Sequence, residues 1–190
     1  MGKGYVTEEE MYVERLDRKL VREGRIINIY EDTVKIPNGH IDKYDFIGHK
    51  GAAAVVPVTA DGKLLMVRQY RNALDRVTLE IPAGGLNSAD EPTLDAARRE
   101  LEEETGYQAD NIELLISIYT TVAFCNEKID IYVATGLHKR QQHLDEDEFI
   151  TPEEWSVDDL TDLIYSGKMQ DSKTIAAILA YKDKFVNKKK

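Results

Sequence analysis

Basic residues are in deficit in this chain: 25 Lys and Arg stand against 35 Asp and Glu, a net charge of −10 over 190 residues. The deficit argues against a general binder of nucleic acid or of anionic membranes, since both need a basic face. It leaves a phosphate-bearing ligand open, because metal ions invert the local sign of an acidic site. Cysteine is almost missing. The single one, Cys125, cannot close an intramolecular disulfide, which fits a reducing compartment. No apolar run approaches the roughly 20 residues that span a bilayer. The start, Met1 to Val6, lacks the apolar stretch of a signal peptide, and Val6 stands where a myristoylation signal wants Ser or Thr. A cytoplasmic chain is expected, with no membrane and no nucleic-acid partner. There is no internal repeat, low-complexity tract or Ser- or Gly-rich linker, and His40, His49, His138 and His143 show no metal-ligand spacing.

What is present suffices for a core. Hydrophobic residues make up 42% of the chain, which argues against disorder. The length allows one domain, or one domain with an appendage. Residues 1–23 are charged and predict a short helix or an irregular arm. Arg25–Tyr30 and Ile41–Ile47 flank Pro37-Asn38-Gly39, a hairpin signal. Strands are expected at Ala52–Val58 and Leu64–Gln69, joined at Asp61-Gly62, and again at Thr78–Ile81, Ile112–Tyr119 and Ile129–Ala134. Helices are expected over 92–105, with Pro92 at the start and Gly106 just past the end, over Val157–Tyr165, and over Lys173–Phe185. On the last of these, Ile175, Ile178, Leu179 and Phe185 read as core. The class is α+β, with residues 1–50 as an arm and β-hairpin domain and residues 51–190 as the main domain.

The acid surplus is concentrated on the first long helix. At 100° per residue, Glu100, Glu103 and Glu104 fall within an arc of about 100°. Such neighbours repel by roughly 0.2–0.5 kcal/mol per pair in water. They also sit in the last turns, where the helix dipole favours cations. A hard divalent cation removes both penalties, and oxygen-only ligands suit Mg²⁺ or Mn²⁺ better than zinc. The bland alternative is a solvated acidic face. Against it, Ala96 and Ala97 lie near the carboxylates and would let the helix approach a sheet closely. Ala83-Gly84-Gly85 upstream is a loop able to bring backbone close to a ligand.

Gly85, Glu91, Arg99-Glu100-Leu101, Glu103-Glu104 and Gly106-Tyr107 reproduce the spacing GX5EX7REUXEEXGU, with U apolar or aromatic. The chain therefore resembles the Nudix hydrolases. Val67-Arg68-Gln69-Tyr70-Arg71, Leu79-Glu80-Ile81-Pro82-Ala83-Gly84 and the acidic loop Asp145–Phe149 extend the likeness to the ADP-ribose pyrophosphatase subfamily. That resemblance implies a Nudix α/β/α sandwich behind a small N-terminal antiparallel β domain, commonly in a domain-swapped homodimer. The implied reaction is Mg²⁺-dependent hydrolysis of a nucleoside diphosphate sugar, with ADP-ribose giving AMP and ribose 5-phosphate. Two other readings stand beside it: hydrolysis of another nucleotide sugar such as GDP-mannose, and a non-catalytic nucleotide sensor.

Carried over residue by residue, the resemblance assigns metal binding to Glu100, Glu103, Glu104 and the carbonyl of Ala83, with Arg99 orienting the carboxylates. Glu91 is assigned to the loop–helix structure. Arg68 and Arg71 are candidates for phosphate contacts, because a guanidinium can grip phosphate oxygens bidentately. Three residues apart on one strand they face opposite sides unless it bulges, and Arg71 is favoured for substrate. Glu80 is a ribose contact or a structural ion pair. The general base is expected in the acidic loop, as Glu148 in preference to Glu146; the loop is no EF-hand, since Ile150 and Ser156 replace the required Gly and Glu. Glu127 is matched to an acid near substrate or metal waters. Tyr30, Tyr44 and Phe46 are available for adenine stacking or for core packing. Cys125 lacks a His partner and reads as a structural thiol. One departure stands out: Thr121-Val122-Ala123 occupies the stretch where the subfamily carries a proline, so the sugar preference is open.

Overall fold

The computed structural model describes residues 7–144 and 148–187. In chain order these form α1 (Glu8–Met11), β1 (Glu14–Glu23), β2 (Asn28–Lys35), β3 (Ile41–Gly48), β4 (Ala52–Pro57), β5 (Leu64–Arg71), β6 (Arg76–Glu80), β7 (Ala83–Gly85), α2 (Thr93–Thr105), β8 (Tyr107–Tyr119), β9 (Lys128–Lys139), β10 (Thr151–Trp155), α3 (Val157–Tyr165) and α4 (Ser172–Tyr181). Two compact units result. One comprises the chain up to His49 together with Thr121–Glu127, and the other takes Lys50–Thr120 and the chain from Lys128 onward. No helix among the described residues is long and apolar enough to cross a membrane.

The first unit is a three-stranded antiparallel sheet, β1-β2-β3. Asn38-Gly39 turns β2 into β3 as the dipeptide predicts, with Gly39 at φ 86°. Of the arm's described residues, Glu8–Met11 form the short helix that was one of the two expectations, capped by Thr7 and Glu10, whereas Glu14–Glu23 form the unexpected strand β1. That strand was obscured because its register shifts near Leu16 and again near Val21, so its apolar residues lose strict alternation. Thr121–Glu127 joins this unit through a bridge between Ile47 and Cys125, the Ile47 N–H donating to the Phe124 carbonyl at 2.7 Å. A single cut at residue 50 therefore does not separate the units.

The second unit is the sandwich, shaped by a central strand buried on both faces. β4 lies between β7 and β9 in the sheet β7-β4-β9-β8 and runs parallel to β9. Parallel strands covered on both sides read as continuous apolar runs, which is why AAAVVP has no polar residue. Its odd and even positions divide the core. Ala52, Ala54 and Val56 join Ile131, Ile178, Leu160 and Tyr181 on the α3/α4 side. Ala53 meets Ala96, Ala97 and Tyr132 of the α2 side, and Val55 meets Leu101 and Ala134. The second sheet is β10-β5-β6. Thus β4 and β5, although joined by the turn at Gly62 (φ 81°), diverge into different sheets and share one bridge, Val58–Leu64. The Ala83–Gly85 segment, expected as a loop, is the short edge strand β7, and β10 was unexpected. On α4 the buried face is Thr174, Ala177, Ile178 and Tyr181; Leu179 falls off it.

One buried acid ties the second sheet to α4. Glu80, at the end of β6, is 2% exposed. Arg71 donates Nε and Nη2 to its two oxygens at 2.8 and 2.7 Å, the Thr78 hydroxyl donates at 2.6 Å, and Lys173 Nζ donates to Oε2. Burial alone would raise the Glu80 pKa, but Arg71, Lys173 and Thr78 together bring it from 4.5 down to about 2. A folded pKa below the unfolded one stabilises above the unfolded value, and that stability drains away as pH falls toward the folded value. Here the window runs from about 4.5 to about 2, and a shift of that size corresponds to about 3 kcal/mol. Urea unfolding of the wild type from about pH 6 to about pH 2.5 should lose stability across that window, with Glu80→Gln showing a slope shallower by most of that amount. Equal slopes in the two proteins would refute the assignment.

Candidate active site

The carboxylate face of α2 is positioned by small side chains. Ala96 and Ala97 are fully buried and let the helix backbone lie close to β4. The helix stops at Gly106, whose left-handed backbone (φ 71°) lets its N–H donate to the Glu102 carbonyl at 2.8 Å. On the flank of the buried face, Glu100 and Glu104 are 7% and 3% exposed, while the Glu103 side chain is 40% exposed. Glu102 points elsewhere and accepts from Gln108 Nε2 at 2.8 Å.

β7 closes over that flank. The Ala83 N–H donates to Glu104 Oε2 at 3.0 Å. A Cβ on Gly84 would stand 2.1 Å from a Glu100 carboxylate oxygen, so a larger residue here would displace that carboxylate. Arg99 binds the group together: Nη1 donates to Glu100 at 2.5 Å and to Glu103 at 3.1 Å, and Nη2 donates to the Gly85 carbonyl at 3.1 Å. Its Nε lies 3.5 Å from Glu91, which itself accepts the Asn87 N–H at 2.5 Å and so clasps the loop ahead of the helix.

The electrostatics are those of anions forced together. Burial, then repulsion from Glu100, lifts the Glu104 carboxyl to about 8 despite the Ala83 hydrogen bond, and Glu148 adds to the rise. Burial likewise lifts Glu100 to about 7, opposed by Arg99 and reinforced by Glu103 and Glu148. Glu148, half-buried, is therefore within electrostatic reach of both. Among the described residues, no three acidic, His or Cys side chains converge closely enough to cage an ion as they stand, because Arg99 draws Glu100 and Glu103 to itself. The donor set nonetheless fits a divalent cation. Hard oxygens on one face, two of them kept from water chiefly by burial, are what such an ion would relieve. The alternative base Glu146 lies outside the described residues.

The remaining predicted residues separate into groups. β5 pairs with β6 in unbroken register, Val67 opposite Glu80 and Arg71 opposite Arg76, so there is no bulge and Arg68 and Arg71 occupy opposite faces. Arg71 is held by Glu80 and lies close enough to Glu104 to act on its charge. Arg68 grips Glu153 bidentately, Nε at 2.6 Å and Nη2 at 3.1 Å, away from the carboxylate face. Both oxygens of Glu80 are occupied by Arg71, Thr78 and Lys173, which places it in the ion-pair alternative. Sequence reasoning missed Lys173; its position four residues before the buried Ala177 of α4, on the same helix face, was the available signal.

Tyr30 and Glu127 belong to the first unit. The Tyr30 and Phe46 rings lie 5.7 Å apart, and Arg18, paired with Asp32, sits 3.7 Å from the Phe46 centroid. Tyr44 is half exposed and borders a surface cavity with Ile29, Ile47 and Phe124. Glu127 lies 3.7 Å from His49 Nε2. Val122 is 84% exposed, and the Cys125 sulfur accepts from the Glu127 N–H at 3.4 Å.

Comparison with known proteins agrees with this architecture. A family model described as the NUDIX domain matches residues 48–178. A methanol dehydrogenase activator of Bacillus methanolicus is 42% identical, the match covering 82% of this chain and 84% of that protein. An ADP-ribose pyrophosphatase of Bacillus subtilis is 40% identical over the same shares of the two chains. An ADP-ribose pyrophosphatase of Mycobacterium tuberculosis is 32% identical, covering 88% of this chain and 82% of that one. The crystal structure of an ADP compounds hydrolase superposes with a TM-score of 0.81 at 21% identity, covering 93% of this chain and 95% of that one, and so attests the fold. With a family model spanning well over half its length and relatives of this identity along most of it, the chain belongs to the NUDIX domain family.

Proposed function

We propose that this protein is a cytoplasmic, homodimeric hydrolase that cleaves ADP-ribose, or a closely related nucleoside diphosphate sugar, to AMP and ribose 5-phosphate with Mg²⁺ or Mn²⁺. The observation that carries the reading is the pair Glu100 and Glu104, buried under β7 beside Glu103, which sets three carboxylates on one face of α2. The two relatives named as ADP-ribose pyrophosphatases support the substrate class.

Glu100, Glu103, Glu104 and the Ala83 carbonyl would hold the metal, which when bound neutralises the diphosphate and polarises its phosphorus centres. Arg99 keeps Glu100 and Glu103 turned toward one another. Arg71, with Nε and Nη2 engaged by Glu80, keeps Nη1 for a phosphate oxygen. Glu148 removes a proton from the attacking water, which opens the anhydride and leaves two phosphate monoesters. Retention of all three helix carboxylates argues against a non-catalytic sensor. Val122, where the subfamily carries proline, favours a second reading in which a different sugar is accepted. A relative named GDP-mannose pyrophosphatase, from Yersinia enterocolitica, is 32% identical over 66% of the chain.

Product analysis with purified protein, Mg²⁺ and a panel of ADP-ribose, GDP-mannose, UDP-glucose, NADH and dinucleoside polyphosphates tests the substrate. ADP-ribose should be turned over best; a preference for GDP-mannose would transfer the reading to that sugar, and no turnover at all would end it. Glu104→Gln should cut kcat by at least about 100-fold and abolish any Mg²⁺-induced rise in Tm. Without metal the variant should melt no lower than wild type, because it removes a carboxylate whose ionisation burial opposes. Activity near the wild-type level in Glu104→Gln rules out the metal assignment. For the base, Glu148→Gln should lower kcat by about 100-fold or more with metal affinity retained, and Glu146→Gln should have a far smaller effect. The reverse order would reassign the base to Glu146.

A further inference from the structure

The face of β5 that carries Arg71 holds one group unexplained by the fold. Period two places Leu65, Val67, Gln69 and Arg71 on this face, with Thr78 and Glu80 beside them on β6. Leu65, at one end, lines a cavity with Thr105 at the end of α2. Arg71, at the other, acts on Glu104. On the opposite side of β5, Thr151 pairs with Arg68 and Pro152 with Val67. Gln69 pairs with Thr78 of β6 and shares its strand face with Arg71.

The Gln69 side-chain Nε2 is buried and, among the described residues, has no hydrogen-bond partner. Its neighbours are differently disposed: Arg71 and the Thr78 hydroxyl both donate to Glu80. Native folds leave few buried donors unmade, and each asks for an explanation. An amide is a neutral donor that recognises an oxygen acceptor without moving a proton.

Resting on the hydrolase reading, we infer that Gln69 is a substrate-positioning residue whose amide donates to a non-bridging oxygen of the bound diphosphate. No bond among the described residues holds this nitrogen, so a turn of the side chain brings it to substrate without breaking one. Gln69 and Arg71 then grip the diphosphate from one strand face, opposite the carboxylates that hold the metal.

Gln69→Leu keeps the volume and removes the donor. Steady-state kinetics on the preferred nucleotide sugar should show KM raised about tenfold with kcat within about twofold, the mark of a lost ground-state grip. Gln69→Glu, which sets an anion against the diphosphate, should raise KM further. Tm without substrate should stay level or rise in Gln69→Leu, because an unmade bond is removed and not a made one. A lowered Tm would overturn the inference by showing that the amide serves the fold. So would an unchanged KM, or a fall in kcat alone. Wild-type protein that turns over no diphosphate-linked compound would instead overturn the hydrolase reading, and the role of Gln69 with it.

Discussion

The site depends on how near α2 comes to the central sheet. Two alanines on the helix meet one on β4, so the approach is limited by backbone and methyl groups. That nearness brings the third turn of the helix under β7, where Ala83 donates to Glu104 and Gly84 passes against Glu100. The carboxylates are not dragged from water by a ligand; packing of the apolar face has already taken them out. Hydrophobic burial on one side of the helix thus meets the cost of crowded charge on the other. Bulkier residues at Ala96 or Ala97 would tilt the helix away and return the acids to solvent.

A second arrangement keeps the opposing wall rigid. Glu80 is buried, yet three donors from β5, β6 and α4 surround it, and its charge is more stable folded than unfolded. Removing a single donor would leave a buried anion short of partners, which is why such clusters resist change one residue at a time. The cluster fixes Arg71 at the edge of the carboxylate face with its direction set. The two halves of the site are therefore held by opposite means: crowded carboxyl groups on α2, and a carboxylate met by cations from β5 and α4 at the end of β6.

Much of this was legible in the residues. Glu100, Glu103 and Glu104 violate helix rules together, and the spacing from Gly85 to Tyr107 located the loop, the helix and its end. The fully apolar Ala52–Val58 run marked the central strand. Other features were invisible for identifiable reasons. β1 hid behind two register shifts that scrambled its alternation, and β7 is too short to carry a pattern. The divergence of β4 from β5 is decided by packing, so a clean turn at Gly62 looked like an ordinary hairpin. The partners of Arg68, Arg71 and Glu80 join residues far apart in sequence, Glu153 and Lys173 among them, and no local signal encodes them. The opposite facing of the two arginines followed from strand period alone.

The bridge from Ile47 to Cys125 has a consequence for how the chain is made. During synthesis β1, β2 and β3 emerge first and could pair at once, being local. Their unit remains short of a segment until Thr121–Glu127 leaves the ribosome, after β4 to β8 and the whole of α2. The first unit to begin is thus not the first to finish, and the core of the second is threaded through the delay.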